Sequence, residues 1–419
     1  MGLKAKLNYF RENYIFKVIE DDSEGFLDEE AVTIRHGMTI WKNGKLCWVL
    51  RYPTNIAISF IVLTWTVVHH VINFNRYSHV AKMFDYAYPV ASILYITEIH
   101  RRQRQIRRVS KILDKWYRYP FLDKTMIELK KNAKEKVKRF YYIYYNFMKI
   151  GAVSYCLMPI WRYYQNTEKD ASNLLLFKCW SPFPLYTWWG FAITYLMELM
   201  TIINVFIVFG YIVTFLTAVA ITVGYQCRLI TIALLTIDER VTKSMVVQNI
   251  GTGGVWEEAR VWAMKKELSN SVIHYQRIYG LTKEVCGFFV GPISMCYYPG
   301  IFALVVCCGR LATERENKFL LFQAAFMVNA ILVNQYIIAF INQMITDEFE
   351  KLRMAVYDSP WYKMKVPCKK MVHIMQTMML RKPNIRTILG TNADMEFFAT
   401  VINASYCYLS ALLSTNIKY

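Results

Sequence analysis

The chain has 419 residues, 55% of them hydrophobic and 19% charged, and a formal net charge of +19 at pH 7. A positive balance of this size is typical of nucleic-acid-binding proteins, but the charges here alternate with apolar runs that are too long for ordinary core helices. We therefore expect a membrane protein with the lipid bilayer as its surroundings and no nucleic-acid partner.

Seven apolar stretches are long enough to cross a bilayer, since a spanning helix needs about 20 apolar residues. We predict an all-α membrane protein with seven transmembrane helices, bounded to within about four residues. The predicted spans are 52–74, 80–98, 143–161, 188–224, 286–309, 319–343 and 394–414.

The Lys and Arg residues alternate between the segments that separate these spans. Of the 50, 39 lie in the N-terminal segment and the second, fourth and sixth loops, and nine lie in or beside the other loops and the C-terminal tail. Because basic residues are retained on the cytoplasmic side, we predict the N terminus inside and the C terminus outside. This orientation is the reverse of that of a G-protein-coupled receptor.

The cytoplasmic loops at 225–285 and 344–393 contain amphipathic helical patterns. A helix outside the bilayer must bury its apolar face, so we predict cytoplasmic helical extensions that form an intracellular anchor layer. The chain then divides into a cytoplasmic N-terminal segment, the first six helices with the ligand-binding outer half and the long loop 225–285, the anchor helices, and a seventh helix with a short outside tail. These four parts are 1–51, 52–343, 344–393 and 394–419.

One outside loop, at 162–187, is long and rich in aromatic residues and proline. It runs through Trp180 to Tyr186 and is followed by Trp188 and Trp189. Aromatic side chains favour the membrane interface, so the loop is either an interfacial aromatic belt or a lid over a pocket in the outer half of the bundle. The two interpretations are compatible.

The sequence contains no enzyme signature, and we predict neither catalytic residues nor a cofactor. The only histidine concentration, His69, His70 and His79, has too few ligands at matched spacing for a metal site. Cys179 is the one cysteine clearly placed in an outside loop, so we expect no disulfide framework.

Two charged residues fall inside predicted spans. Glu198 lies about two turns into the fourth span, where a charge marks a functional candidate or a structural partner of Arg162, and its role stays open. Lys149 lies near the inner end of the third span and can snorkel to the surface. The basic segment from Arg101 to Arg139 is a solvated helical face or a contact for anionic lipid.

The last sixty residues carry the most specific pattern. It comprises Ser359-Pro360-Trp361-Tyr362, Arg381-Lys382-Pro383, Gly390, Met395-Glu396-Phe397-Phe398, Ser405-Tyr406-Cys407-Tyr408-Leu409 and Leu412-Leu413. As a set, these elements resemble the C-terminal signature of insect odorant receptors, and the resemblance extends to chain length, span number and orientation. Gustatory receptors of the same superfamily end with a Gln-Phe pair that this chain lacks. The shared co-receptor is longer and has a glutamine where this chain has Leu412.

The resemblance implies the tuning subunit of a ligand-gated, nonselective cation channel, which forms a tetramer with the co-receptor in the plasma membrane of olfactory sensory neurons. A small volatile odorant would bind in the outer half of the bundle and open a pore lined by the last helix. A gustatory receptor channel remains the alternative. A secondary transporter is less favoured because the chain shows no internal repeat.

The resemblance also implies site residues. The gate and nearby pore positions would be Ser405, Leu409, Ser410, Leu412 and Leu413, where a hydrophobic ring gates by dewetting. The ligand pocket, apolar with few polar groups, would lie among the second to sixth spans, and the second to fifth offer candidate residues. Its predicted residues are Phe84, Tyr88, Ser154, Tyr155, Met158, Trp161, Met197, Thr201, Tyr298 and Phe302.

Overall fold

The structure is a computed structural model that describes most of the chain. The described residues are 18–19, 45–73, 86, 89–90, 92–94, 96–98, 101, 105, 108–109, 112–113, 116–165, 175–176, 179–247, 254–313 and 318–416. They are predominantly helical, which confirms the predicted all-α class.

Eight continuous helices run through these described residues. They are α1 (Lys45–Ile72), α2 (Asp123–Gln165), α3 (Trp188–Leu235), α4 (Ile237–Val247), α5 (Gly254–Thr313), α6 (Lys318–Asp358), α7 (Val366–Met378) and α8 (Met395–Asn416). The described residues between 86 and 113 are also helical. A 3₁₀ turn, Trp361–Lys363, separates α6 from α7. Two short strands, β1 (Val18–Ile19) and β2 (Trp116–Tyr117), pair antiparallel.

Five segments of the described residues are apolar and long enough to cross a membrane. They are Thr54–Ile72, Trp188–Phe206, Ile212–Leu235, Trp256–Gly309 and Met327–Lys363. They overlap the predicted first, fourth, fifth and sixth spans. The third and seventh spans lie in α2 and α8, which are helical without being among the five, and much of the second lies outside the described residues. Seven spans and their orientation therefore stay a prediction.

The longest helices extend well beyond the thickness of a bilayer. In α5 no charged residue occurs from Val285 to Gly309, whereas its first half carries Lys265, Lys266 and Glu267. A helix of 25 uncharged residues suffices to span, so we predict that the charged half of α5 lies outside the membrane. The uncharged part of α6 likewise ends at Thr346. The remainders of these helices pack with α4 and α7, and their place in an intracellular anchor layer stays a prediction.

The C-terminal half of α3 forms the centre of the packing. Leu216, Leu229 and Leu234 are fully buried there, and α3 packs against α1, α2, α5 and α6. Its N-terminal end is capped by Thr187, whose hydroxyl accepts the Gly190 N–H. The helix runs past 224, the predicted end of the fourth span, to Leu235. In this extension Arg228 pairs with Glu348 of α6 at 2.7 Å.

A buried ion pair joins α4 to α5. Arg240 Nη1 donates to Glu267 Oε2 at 2.5 Å, and the two side chains are 3% and 0% exposed. The guanidinium also donates to the Ala233 carbonyl at 2.6 Å and lies 5.4 Å from the centre of the Tyr119 ring. Removing one partner of such a pair leaves a buried charge, which is strongly destabilising. Arg240 therefore has a structural role in the layer.

His274 connects the same layer to the segment before α2. Its ring stacks on Tyr117 at 4.2 Å, and the Tyr119 hydroxyl lies 3.0 Å from Nδ1. Nε2 lies 3.4 Å from Gln226 Oε1. Burial, followed by the charge of Arg277, holds the pKa of His274 well below its usual value. The ring is therefore neutral, with Nδ1 accepting from Tyr119 and Nε2–H donating to Gln226.

Candidate functional site

A buried carboxylate holds the loop at 162–187, which the sequence predicts to lie outside, against α3. Glu198 is fully buried; its Oε2 accepts the Leu176 N–H at 2.9 Å, and its Oε1 accepts the Cys179 thiol at 3.1 Å. A carboxylate in an apolar region needs such donors. The question left open by the sequence is thus answered in part, because Glu198 fastens the loop. The side chain of Arg162 lies outside the described residues.

The loop also packs over the C-terminal end of α1. The Trp180 N–H donates to the Trp65 carbonyl at 3.1 Å, and the Phe183 ring meets the Trp65 and Trp189 rings edge-on, each at 6.2 Å. The side chains of Tyr186 and Trp188 are 80% and 72% exposed. The loop therefore combines exposed aromatic side chains with contacts on α1 and α3, and the belt and lid interpretations both stay predictions.

Two of the predicted ligand residues lie together beneath this loop. Met197 and Thr201 occupy successive turns of α3, and the Thr201 hydroxyl donates to the Met197 carbonyl at 3.1 Å. Met197 packs against an apolar cluster that includes Val62, Leu175 and Ile202. This cluster joins α1, the outer loop and α3.

Tyr298 and Phe302 lie on α5. The Tyr298 hydroxyl donates to Thr387 Oγ1 at 2.8 Å, so its hydrogen bond goes to the segment that precedes α8 rather than to Met197 or Thr201. Phe302 is 42% exposed. Phe84 and Tyr88 lie outside the described residues. The remaining predicted ligand residues lie on α2, where only the backbone is described: Ser154, Tyr155, Met158 and Trp161.

Asn204 is a candidate that the sequence analysis missed. It lies one turn from Thr201 on α3, is 8% exposed, and its side-chain nitrogen has no hydrogen-bond partner among the described residues. A buried amide donor without an acceptor is costly and calls for an explanation. The available signal was its spacing of seven residues from Met197, which puts both on one helical face.

The last helix is anchored at its start. Asp394 Oδ1 accepts the Phe397 N–H at 3.0 Å and caps α8. The Phe397 ring packs on Tyr297 of α5, and the Phe398 ring on Tyr336 of α6, with centroids 5.6 and 5.7 Å apart.

Beyond this anchor, α8 has one stripe toward the rest of the chain and a wide exposed face. Phe398 and Val401 are buried, and Ser405 and Leu409 continue their stripe as half-buried residues. The exposed positions are Ala399, Thr400, Ile402, Asn403, Ala404, Tyr406, Cys407, Tyr408, Ser410, Ala411 and Ser414. The structure thus separates two predicted pore residues, Ser405 and Leu409, from Ser410. The side chains of Leu412 and Leu413 lie outside the described residues.

A tight hairpin leads into α8 and is held by α5 and α6. Ser294 Oγ accepts the Ile388 N–H at 2.8 Å, and Asn342 Nδ2 donates to the Ala393 carbonyl at 3.0 Å. Gly390 has φ +82°, a left-handed conformation that favours glycine. Motion of α5 or α6 would therefore reach the start of α8 through hydrogen bonds.

Comparisons with known proteins place this architecture in context. A family model described as "7tm Odorant receptor" matches residues 79–406. Two solved structures of the insect olfactory receptor OR5 from Machilis hrabei, one in complex with eugenol, match with a TM-score of 0.70 and 12% identity. Each match covers 99% of this chain and 97% of the other. No curated protein matches the chain.

Proposed function

The chain belongs to the 7tm odorant receptor family, and on that premise we propose that it is the odorant-binding subunit of a ligand-gated, nonselective cation channel. It would act with a co-receptor in a tetramer, in the plasma membrane of olfactory sensory neurons, with its N terminus inside. The sensory-receptor assignment follows the family. The partner, the tetramer, the cell type and the orientation are the proposed part.

The exposed face of α8 is the observation that carries this proposal. A helix surrounded only by lipid has no use for exposed Asn403 and Ser410 beside Ile402 and Tyr406. Polar and small residues of this kind suit a helix that lines water or meets neighbouring helices. Equivalent helices from other subunits would cover the apolar positions and leave the polar ones beside a pore.

Within α8, the half-buried Leu409 remains the proposed gate together with Leu413, because a ring of leucines can close a pore by dewetting. Ser410 lies on the exposed face and is the stronger candidate for contact with permeating water and ions. Ser405 already donates to the Val401 carbonyl at 2.7 Å, so its proposed role is at the interface or in packing. Leu412 would pack beside the gate.

The proposed ligand site lies beneath the outer loop, at Met197, Thr201 and Asn204. A site for volatile molecules is expected to be apolar with few polar groups, and methionine adapts to varied ligand shapes. The Asn204 amide would donate to an oxygen of the odorant. The Machilis receptor was solved with eugenol, and by that analogy we propose a small, oxygen-bearing volatile ligand. The odorant would open the channel by binding the open arrangement more tightly than the closed one.

The test is to express the chain in a cell line with and without an insect odorant co-receptor and to record membrane current against a panel of volatiles. We expect a cation current that requires both subunits and the odorant, with the co-receptor alone as control. Current from this chain alone would show that it forms a homomeric channel and would contradict the co-receptor part of the proposal. No odour-evoked current from chains shown to reach the cell surface would contradict the odorant-gated channel.

A further inference from the structure

The solvent-exposed face of α2 carries a stripe of basic and aromatic residues. Helical geometry puts residues 7, 11, 14 and 18 positions apart on one face. Lys131, Lys138, Tyr142, Tyr145 and Lys149 have this spacing, and all five are exposed. The buried residues of α2, among them Ala133, Val137 and Tyr144, lie on another face.

The charge on this part of α2 is predominantly positive. Eight Lys or Arg and three Asp or Glu occur from Asp123 to Lys149. On the stripe, the ion pair between Lys131 and Glu135 is long, at 3.9 Å. Because the basic residues outnumber the acidic ones by five, this part of α2 presents net positive charge to its surroundings.

The stripe lies where the apolar part of α2 begins. Between Arg139 and Arg162 the only charged residue is Lys149. Tyr142 and Tyr145 are 69% and 50% exposed, and the neighbouring Ile143 and Ile150 are 63% and 67% exposed. Exposed isoleucines at this level suit contact with lipid tails, and exposed tyrosines suit the headgroup region. Arg139 and Lys138 therefore lie on the aqueous side of the aromatic residues, and Lys149 on the apolar side.

The direction of the side chains brings these cations toward one level. Side chains of an α-helix lean toward its N terminus, so the Lys149 stem runs from the apolar side toward Tyr145. A lysine in this position buries its stem and presents its ammonium at the headgroups. Two tyrosine hydroxyls then lie between cations on both sides, an arrangement suited to a phosphate or carboxylate.

We propose that the stripe from Lys138 to Lys149, widened by the adjacent exposed Arg139, forms a docking surface for the headgroups of anionic lipids. Its residues are Lys138, Arg139, Tyr142, Tyr145 and Lys149. The surface is separate from the odorant site and from α8, and it requires only that α2 crosses a bilayer. Each basic residue near an anionic surface strengthens binding about fivefold. Phosphatidylserine supplies both phosphate and carboxylate and is the probe of choice.

The experiment reconstitutes the full chain in phosphatidylcholine vesicles that contain trace spin-labelled phosphatidylserine or spin-labelled phosphatidylcholine in both leaflets. Electron paramagnetic resonance gives the fraction of each lipid immobilised by the protein. We expect more immobilised phosphatidylserine than phosphatidylcholine, with the excess lost near 1 M salt, where screening acts within about 3 Å. Because both leaflets carry the label, the orientation of the chain does not affect the result.

The stripe variant Lys138→Gln/Arg139→Gln/Lys149→Gln should lose the excess. The matched control Lys243→Gln/Lys265→Gln/Lys266→Gln removes the same charge from exposed positions on α4 and α5 and should keep it. Equal immobilisation of both lipids by the original chain would overturn the proposal, as would an unchanged excess in the stripe variant. An equal loss of the excess in both variants would show that the lipid preference depends on the net charge of the protein rather than on the stripe. A change of oligomeric size without a change in lipid preference would assign the stripe to another subunit.

Discussion

Asn342 and Ile385 exchange two hydrogen bonds, one through each end of the asparagine amide. Asn342 Nδ2 donates to the Ile385 carbonyl at 3.4 Å, and the Ile385 N–H donates to Asn342 Oδ1 at 3.0 Å. Asn342 is fully buried, and its side-chain nitrogen also donates to the Ala393 carbonyl. One side chain of α6 therefore closes both ends of the hairpin that precedes α8.

Asn342→Asp should destabilise this junction. The substitution replaces the donating nitrogen by an oxygen that faces two carbonyls. The loss of these buried hydrogen bonds is expected to cost about 3 kcal/mol of folding free energy. Thermal unfolding of the detergent-solubilised protein measures it. Asn384→Asp introduces the same charge at a half-buried position of the same segment and should have a smaller effect. Equal shifts of the two midpoints would show that the exchange does not hold the hairpin.

His274 predicts an acid-sensitive layer. Burial lowers its pKa well below 6.5, whereas an unfolded histidine binds a proton near pH 6.5. The unfolded state therefore binds more protons at acid pH, and stability falls as the pH drops below about 6.5. Between pH 7 and pH 5, the unfolding midpoint of the original chain should decline more steeply than that of His274→Gln. His373→Gln, at an exposed position of α7, should decline like the original chain, and a parallel decline of all three would refute the assignment.

Glu198→Ala should release the outer loop. Two hydrogen bonds to a buried carboxylate are lost, and a charged acceptor contributes about 1.5–3 kcal/mol per bond. A change of about 1.4 kcal/mol shifts an equilibrium constant tenfold, so the open form of the loop should become at least about tenfold more populated. Cys179 is 1% exposed in the original chain and should react faster by the same factor with a membrane-impermeant maleimide. Mass spectrometry of the Cys179 peptide gives the rate. Glu258→Ala, at an exposed position of α5, is the control, and unchanged labelling of Cys179 in Glu198→Ala would contradict the fastening role.

Asn204→Leu should alter ligand preference. The substitution keeps similar volume and removes the amide donor, whose hydrogen bond to an odorant oxygen is worth about 1 kcal/mol. The half-maximal concentration for an activating oxygen-bearing odorant should rise about fivefold. A hydrocarbon of the same shape is the internal control and should be unaffected. If both ligands shift together, Asn204 acts on folding or gating rather than on the ligand.

Local patterns in the sequence were enough to predict the membrane class, the helical content and the family. Uncharged runs such as 319–346 and the clustered motif from Ser359 to Leu413 are visible without tertiary contacts. The role of Glu198 was not predictable, because its partners Leu176 and Cys179 lie about twenty residues away across a loop. The partner of Arg228 was not predictable either, because Glu348 lies 120 residues further along the chain.

The pairing of β1 with β2 also left no trace in the sequence, because strands of two residues have no periodicity to detect. The pore and pocket predictions rest on the family resemblance and stay predictions. For Asn204, the spacing of seven residues from Met197 was visible in the sequence, whereas the burial of an amide nitrogen without a partner among the described residues was not.

The uninterrupted course of α3 makes it a lever. Its 48 residues span about 72 Å at 1.5 Å per residue, with the Glu198 loop clasp near one end and the Arg228–Glu348 pair near the other. A rigid rod of that length amplifies a small rotation, and a tilt of about 5° displaces one end relative to the other by about 6 Å, roughly one helical turn. In the proposed receptor, an odorant that tilted α3 by this amount would move the far end of the helix by about one helical turn.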